Sequence, residues 1–150
     1  MTWKILLKDK ILREKKVSIK EVDGVLAKAR KSLKASEILT NNGIEESVFK
    51  EAYDAMILAS RALMFALGVR PRTVGSHFTT IRFCELYFGK EYKLLVEKFR
   101  KMKRKRNYLI YGIGMMISKT EAENSIRTAK EFIKTIEAEV SAIRKQKKLI

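Results

Sequence analysis

Between Glu45 and Leu67 this chain leaves little room for a polar face. Val48, Ala52, Tyr53, Ala55, Met56, Ala59, Ala62, Leu63 and Ala66 recur at helical spacing and fill most of the helix circumference. The segment predicts a buried helix whose many alanines let neighbouring helices come close. Its stop is also legible, with Gly68 as the C-terminal breaker and Pro71 shortly after. One proline and seven glycines in 150 residues are few turn formers for a strand-rich fold.

Four further segments follow the same helical period. From Ser18 to Thr40, Val22, Leu26, Ala29 and Leu33 form a stripe that Ile38 and Leu39 continue. Ser18 and Glu21 have capping-box spacing, and Asn41-Asn42-Gly43 reads as stop and turn. Val69 to Ser76 reads as the main loop. Gly75-Ser76 opens a third helix that runs to about Phe88, with His77, Ile81, Cys84 and Phe88 inward and Gly89 as its end. The fourth spans Glu91 to Tyr111. The last runs from about Thr120 to Gln146, starting at Ser118/Glu121 or Thr120/Glu123, with Ile126, Ala129, Ile133, Ile136, Val140 and Ile143 as its apolar stripe. Residues 1–17 fit neither a helix nor a strand template and are expected to form a basic arm, docked through Trp3. The expected architecture is all-α: an antiparallel up-and-down bundle of about five helices in one domain, 18–150, preceded by the arm. A chain of this length buries about 70% of its extended surface, so neither a disulfide nor a metal is required to hold it.

Lys and Arg number 33 against 17 Asp and Glu, a net charge of +16. Such an excess speaks about partners rather than fold. Nucleic acid comes first, because neutralising phosphates releases counterions; an acidic protein or an anionic surface follows, and a merely solvated basic surface is the plain alternative. No stretch approaches eighteen uncharged apolar residues, so no membrane span is expected. The apolar run Ile5-Leu6-Leu7 is broken at once by Lys8, Asp9 and Lys10, unlike a secretory signal. Cys84 is the single cysteine, which argues against a disulfide framework or a metal cluster and fits a reducing, cytoplasmic setting. No cofactor is expected.

The positive charge is densest from Lys98 to Arg106, where seven of nine residues are basic and none is acidic. The apolar stripe of this helix is Leu95, Phe99, Met102 and then Leu109/Ile110. The position that completes the stripe is Arg106, where a helix normally places a core residue. A cation there needs a partner, either a carboxylate within the fold or a phosphate brought by a ligand. Arg104 and Arg106 carry the planar fork suited to bidentate phosphate contact. Lys98, Lys101, Lys103 and Lys105 would mainly steer an anion inward. Asn107, Tyr108 and Tyr111 can bond to phosphate or sugar, or stack on bases.

Other chemistry-bearing residues read more quietly. His77 is the single histidine; it suits acid–base work, but its apolar face points to a half-buried structural role. Cys84 reads as a buried inert thiol, and Tyr53 as a core residue with its hydroxyl paired. Arg61, among apolar residues, is read as a surface or inter-subunit residue or as one arm of a salt bridge to a neighbouring helix. Gly112-Ile113-Gly114 follows a helix rather than a strand and does not read as a phosphate-binding loop.

The segment from Ala52 to Thr73, with Tyr53, the run Ser60-Arg61-Ala62-Leu63, Gly68, Pro71 and Thr73, resembles the second-helix signature of small HEPN-domain proteins. Arg106-Asn107 followed by Tyr111 resembles that family's active-site motif, in which an Arg, a polar residue, a short gap and a His occur late in the bundle. With the helix order, the likeness covers roughly residues 20–140. It implies a helical bundle that dimerises and binds nucleotide or RNA. In many members it implies metal-independent RNA cleavage, and often a place as the toxin half of a pair with a small nucleotidyltransferase. The Arg and His of both subunits would then face each other across a dimer cleft. Arg106, Asn107 and Tyr111 become the candidate catalytic residues.

The chain departs from the motif at three positions. Tyr111 stands where the motif has His, and an ordinary tyrosine, with a pKa of about 10, is not a base near neutral pH. Ile113 stands where some members carry a tyrosine that a partner modifies. Val74 stands where relatives often have His, and His77 comes three residues later. In these respects the chain resembles branches that lack the motif His. The resemblance therefore implies a nucleotide- or RNA-binding bundle, on the toxin side of such a pair as a ribonuclease or a degenerate one. The alternative is a non-catalytic module that docks on an acidic or nucleotidyltransferase partner. A DNA-binding role is weaker, since no helix-turn-helix signal is present.

Overall fold

The structure is a computed structural model that describes the backbone of residues 2–111 and 116–149 and the side chains of residues 3–110 and 116–147. A 3-10 turn, Thr2–Lys4, leads into the short helix α1 (Ile5–Lys8) and strand β1 (Leu12–Glu14). Then follow α2 (Ile19–Leu39), α3 (Glu45–Ala66), β2 (Val69–Pro71), α4 (Ser76–Phe88), a second 3-10 turn (Gly89–Tyr92), α5 (Lys93–Tyr111) and α6 (Lys119–Leu149). Among the described residues, five principal helices, α2 to α6, form the antiparallel bundle, and the fold is all-α apart from one small two-stranded ribbon. Among the described residues, no helix is long and apolar enough to cross a membrane.

Local chemistry sets the helix ends. Ser18 Oγ accepts from the Glu21 N–H at 3.2 Å and opens α2. At its far end Asn41 adopts φ +67°, and the Asn42 amide donates to the Ile38 and Thr40 carbonyls. Between the two start signals for α6, the structure selects Ser118. The Ser118 N–H donates to Glu121 Oε1 at 3.1 Å and the Glu121 N–H donates to Ser118 Oγ at 3.0 Å, a reciprocal capping box. Gly68 closes α3 at φ +80°, a conformation that L side chains seldom adopt.

Helix α3 sits at the centre and packs on α2, α4, α5 and α6. Ala52, Ala55, Ala59 and Ala62 are fully buried and let those helices approach, while Tyr53, Met56, Leu63 and Met64 fill the space between them. Phe99 of α5 bridges Tyr53 of α3 and Phe132 of α6, with ring centroids 5.8 Å and 5.0 Å apart. These aromatic contacts fix α5 against the core, and so fix the stripe that also carries Arg106.

The N-terminal segment is more ordered than its sequence suggests. Trp3 is buried and meets Phe83 of α4 edge-on at 5.5 Å. Strand β1 pairs antiparallel with β2 in the register Leu12–Pro71, Arg13–Arg70, Glu14–Val69. The expectation that residues 1–17 are neither helix nor strand is therefore corrected, as is the reading of 69–71 as loop. Three residues are too few to show an alternation, and what orders these strands is pairing across a long sequence gap. Pro71, which lacks an N–H, lies at the end of the ribbon.

Candidate anion-binding site

Arg106 occupies the inward stripe of α5, between buried Met102 and half-buried Leu109. It is half-buried itself. Its guanidinium carbon lies 5.4 Å from the ring centroid of Tyr53, a cation–π contact with α3. Its Nε is buried without a hydrogen-bond partner among the described residues, and no carboxylate there lies within ion-pair distance of it. The guanidinium is thus turned toward the bundle without an ion pair among the described residues, and Asp54 is an acid that feels its charge from farther away.

Tyr53 joins Arg106 to the start of α4. Its hydroxyl lies 3.0 Å from His77 Nδ1, and the two rings are 5.7 Å apart. Burial raises the phenol's pKa well above the usual 10, with Asp54 adding to the rise and Arg106 and Arg61 opposing it, so the phenol stays protonated. The imidazole moves the other way, down from 6.5 to about 4. Burial is the main cause, followed by the positive charges of Arg106, Arg61 and Lys103. His77 is therefore neutral at pH 7. The Tyr53–His77 bond runs in one of two senses: the phenol donates to Nδ1 and leaves Nε2–H as an outward donor, or Nδ1–H donates and leaves Nε2 as an acceptor.

Arg61 joins the cluster from α3, two turns after Tyr53. It donates to Ser76 Oγ at 3.2 Å, and its Nε too is buried without a partner among the described residues. The salt bridge considered for it is replaced by this hydroxyl contact, because among the described residues no acid of a neighbouring helix comes within ion-pair distance. Asp54 is the acid whose charge acts on Tyr53. Burial raises its own pKa, while Arg106 and Lys50 hold it down. Three cations act on one neutral imidazole, and two buried guanidine Nε–H groups lack a partner among the described residues, so the cluster favours negative charge. Among the described residues, no three of His, Cys, Asp and Glu gather as metal ligands.

The basic run of α5 does not stay together. Helical rotation divides it between two flanks. Lys103, Arg104 and Asn107 lie on the α4 side, along a hollow that Phe78 also lines. Lys98 and Lys101 lie on the α6 side, in a groove that holds Glu121 and Glu131. Lys105 forms an ion pair with Glu121 at 3.1 Å, and this acid is held below the usual carboxylate range, first by the Ser118 N–H and then by Lys105. Lys105 is thus paired with an acid of α6, whereas Lys103 and Arg104 on the α4 flank have no ion pair among the described residues. Tyr111 ends α5, but its side chain lies outside the described residues, as do Gly112, Ile113 and Gly114.

Cys84 is fully buried, donates to Ser60 Oγ at 3.4 Å and is pushed up to about 12 by burial. It is an inert thiol. The contributions of Asp54 and Phe78 are not evident in the sequence reading. One signal was available: Asp54, Leu58 and Arg61 stand at helical spacing, and all three are half-buried. That stripe continues the half-buried Glu51 and Phe65 and marks the less buried side of α3, from which Arg61 reaches the site.

The chain has no match among curated protein sequences. A family model described as the HEPN domain matches residues 22–139. The match runs from the start of α2 to late α6 and takes in Tyr53, Arg61, His77 and Arg106. The chain belongs to the HEPN domain family.

Proposed function

We propose that this protein binds RNA or a nucleotide, with a phosphate seated against Arg106, Arg61 and His77. The observation that carries this reading is Arg106: a half-buried guanidinium facing the bundle, without an acid partner among the described residues. A phosphate supplies the missing charge. The imidazole beside it either donates a hydrogen bond from Nε2 or gains a proton as the anion arrives. Lys103 and Arg104 provide the electrostatic approach, and Asn107 orients the phosphate or the ribose. Where RNA is the ligand, its own 2′-hydroxyl is the nucleophile nearest a phosphate so held, and Arg106 would stabilise the charge that develops. His77 supplies the imidazole that Tyr111 does not.

Two further elements of the reading rest on the family. A homodimer is supported by the exposed Tyr108 and Ile110 near the end of α5, a face that a second copy would cover. A small nucleotidyltransferase partner and a toxin-side role are supported by the resemblance; co-expression of the two proteins with co-purification checks them.

A filter-binding series with a short RNA across salt tests the reading. Log affinity should fall linearly with log salt, with a slope close to one unit per phosphate contact. Arg106→Ala should weaken binding, and Lys98→Ala, on the α6 flank away from the cluster, should change little. Failure of both RNA and nucleoside monophosphates to bind at low salt overturns the proposal. The same samples incubated in EDTA report cleavage, and intact RNA restricts the function to binding.

A further inference from the structure

We infer that Phe78 is the stacking platform of a nucleobase subsite, so that the ligand of this site is an unpaired nucleotide or single strand rather than a duplex or a bare phosphate. The inference rests on the proposed phosphate site and adds what lies beside it. Phe78 is 65% exposed, although the residues that follow it in α4, Thr79, Thr80 and Ile81, are buried. A phenyl ring set in water next to a cationic cluster costs solvation that a core position would spare it. Lys103 Nζ lies 5.8 Å from its centroid, so one face of the ring meets an ammonium group.

Beside that ring is a hollow of about 230 Å³ bounded by Phe78, Ile81, Lys103, Arg104 and Asn107. It is smaller than a typical drug-sized pocket, and its volume suits one planar heterocycle more than a whole nucleotide. The acid on its rim, Glu85, is engaged by Arg82 at 3.1 Å and by Arg100 at 2.8 Å. Lys103 and Arg104 have no carboxylate within ion-pair distance among the described residues. Lys103 also acts on His77, which precedes Phe78 in the chain. The hollow and the phosphate site thus have Lys103 in common and consecutive residues, Phe78 and His77, one on each, which matches the linkage of a base to its own phosphate. Asn107 offers an amide donor and acceptor to a base edge or a ribose hydroxyl. Stacking takes any base, because every base has a π-face, and it requires that the base be unpaired.

Fluorescence anisotropy with three labelled probes tests this: a single-stranded RNA, the same sequence as a duplex, and an abasic sugar-phosphate oligomer. For the single strand, Phe78→Ala should lower affinity roughly ten-fold or more, as expected for losing one stacked base. The salt slope should not change, because no phosphate contact is lost. Phe78→Tyr should restore affinity, and duplex and abasic probes should not distinguish wild type from Phe78→Ala. In a second measurement, the added indole of Phe78→Trp should be quenched as single strand binds. Equal single-strand affinity of wild type and Phe78→Ala, with Arg106→Ala still weakening binding, overturns the base subsite and leaves the phosphate site standing. Absence of binding by wild type overturns both. A Phe78→Ala protein that turns from dimer to monomer in sedimentation overturns the subsite in favour of a second copy covering the ring.

Discussion

Replacing His77 by Gln should remove a specific part of the protein's sensitivity to acid. In the fold the imidazole drops from 6.5 to about 4, through burial first and then through Arg106, Arg61 and Lys103. In the unfolded chain the ordinary value returns. Between those two pH values the unfolded state carries a proton that the native state does not, so stability rises with pH across the window. The contribution is fully present above pH 6.5 and is lost as pH falls to about 4. At about 1.4 kcal/mol per pH unit, the full drop corresponds to ~3 kcal/mol. His77 is half-buried, and solvent screening brings the expected effect to ~2 kcal/mol. Urea unfolding followed by circular dichroism at several values from pH 7.5 to 4.5 measures it. Carboxylates titrate in both proteins and cancel in the difference. Wild type should lose ~2 kcal/mol more than His77→Gln across this range, and Arg106→Met should make the loss smaller, because relieving one source of the depression narrows the gap between the native and unfolded values. Parallel stability curves for wild type and His77→Gln refute the reasoning.

Arg106→Met, without ligand, should leave stability within ~1 kcal/mol of wild type or raise it, because the unpartnered buried donor costs ~1–3 kcal/mol and the contact with Tyr53 returns a similar amount. A urea midpoint corresponding to a much larger loss would show that an internal partner holds the guanidinium. Trp3→Ala should cost ~3–5 kcal/mol, because the indole is buried against Phe83; thermal unfolding checks this, and a near-neutral result would mean that the N-terminal segment does not hold the bundle. Ser118→Ala should cost ~1 kcal/mol through loss of the capping box, read in the same unfolding experiment.

Much of the fold was legible because its determinants are local. The Ser18–Glu21 cap, the apolar period of α2 and α6, and the alanine-rich run of α3 each declare a helix within a few turns of sequence. The 3.6-residue period also singled out Arg106 as an inward cation, and the structure sets it over Tyr53. What was not legible depends on tertiary contacts. Strands β1 and β2 exist through each other, and neither Leu12-Arg13-Glu14 nor Val69-Arg70-Pro71 carries a strand pattern alone. The basic run appears as one cluster in sequence, yet a 100° step per residue sends Lys98 and Lys101 to the α6 side and Lys103 and Asn107 to the α4 side. His77 approaches Tyr53 and Arg106 because α4 packs against both α3 and α5, and spacing along the chain holds no record of that.

Because this chain contains a single histidine, one imidazole signal reports on the whole site. An NMR pH titration of His77, with and without a saturating nucleoside monophosphate, tests most directly whether a phosphate binds against Arg106 and Arg61. The free protein should show a midpoint near 4. With the nucleotide present the midpoint should move upward, because the phosphate offsets the surrounding cations and favours the imidazolium. A midpoint that stays unchanged at saturation would contradict the account, placing the bound anion away from His77 and its two arginine neighbours.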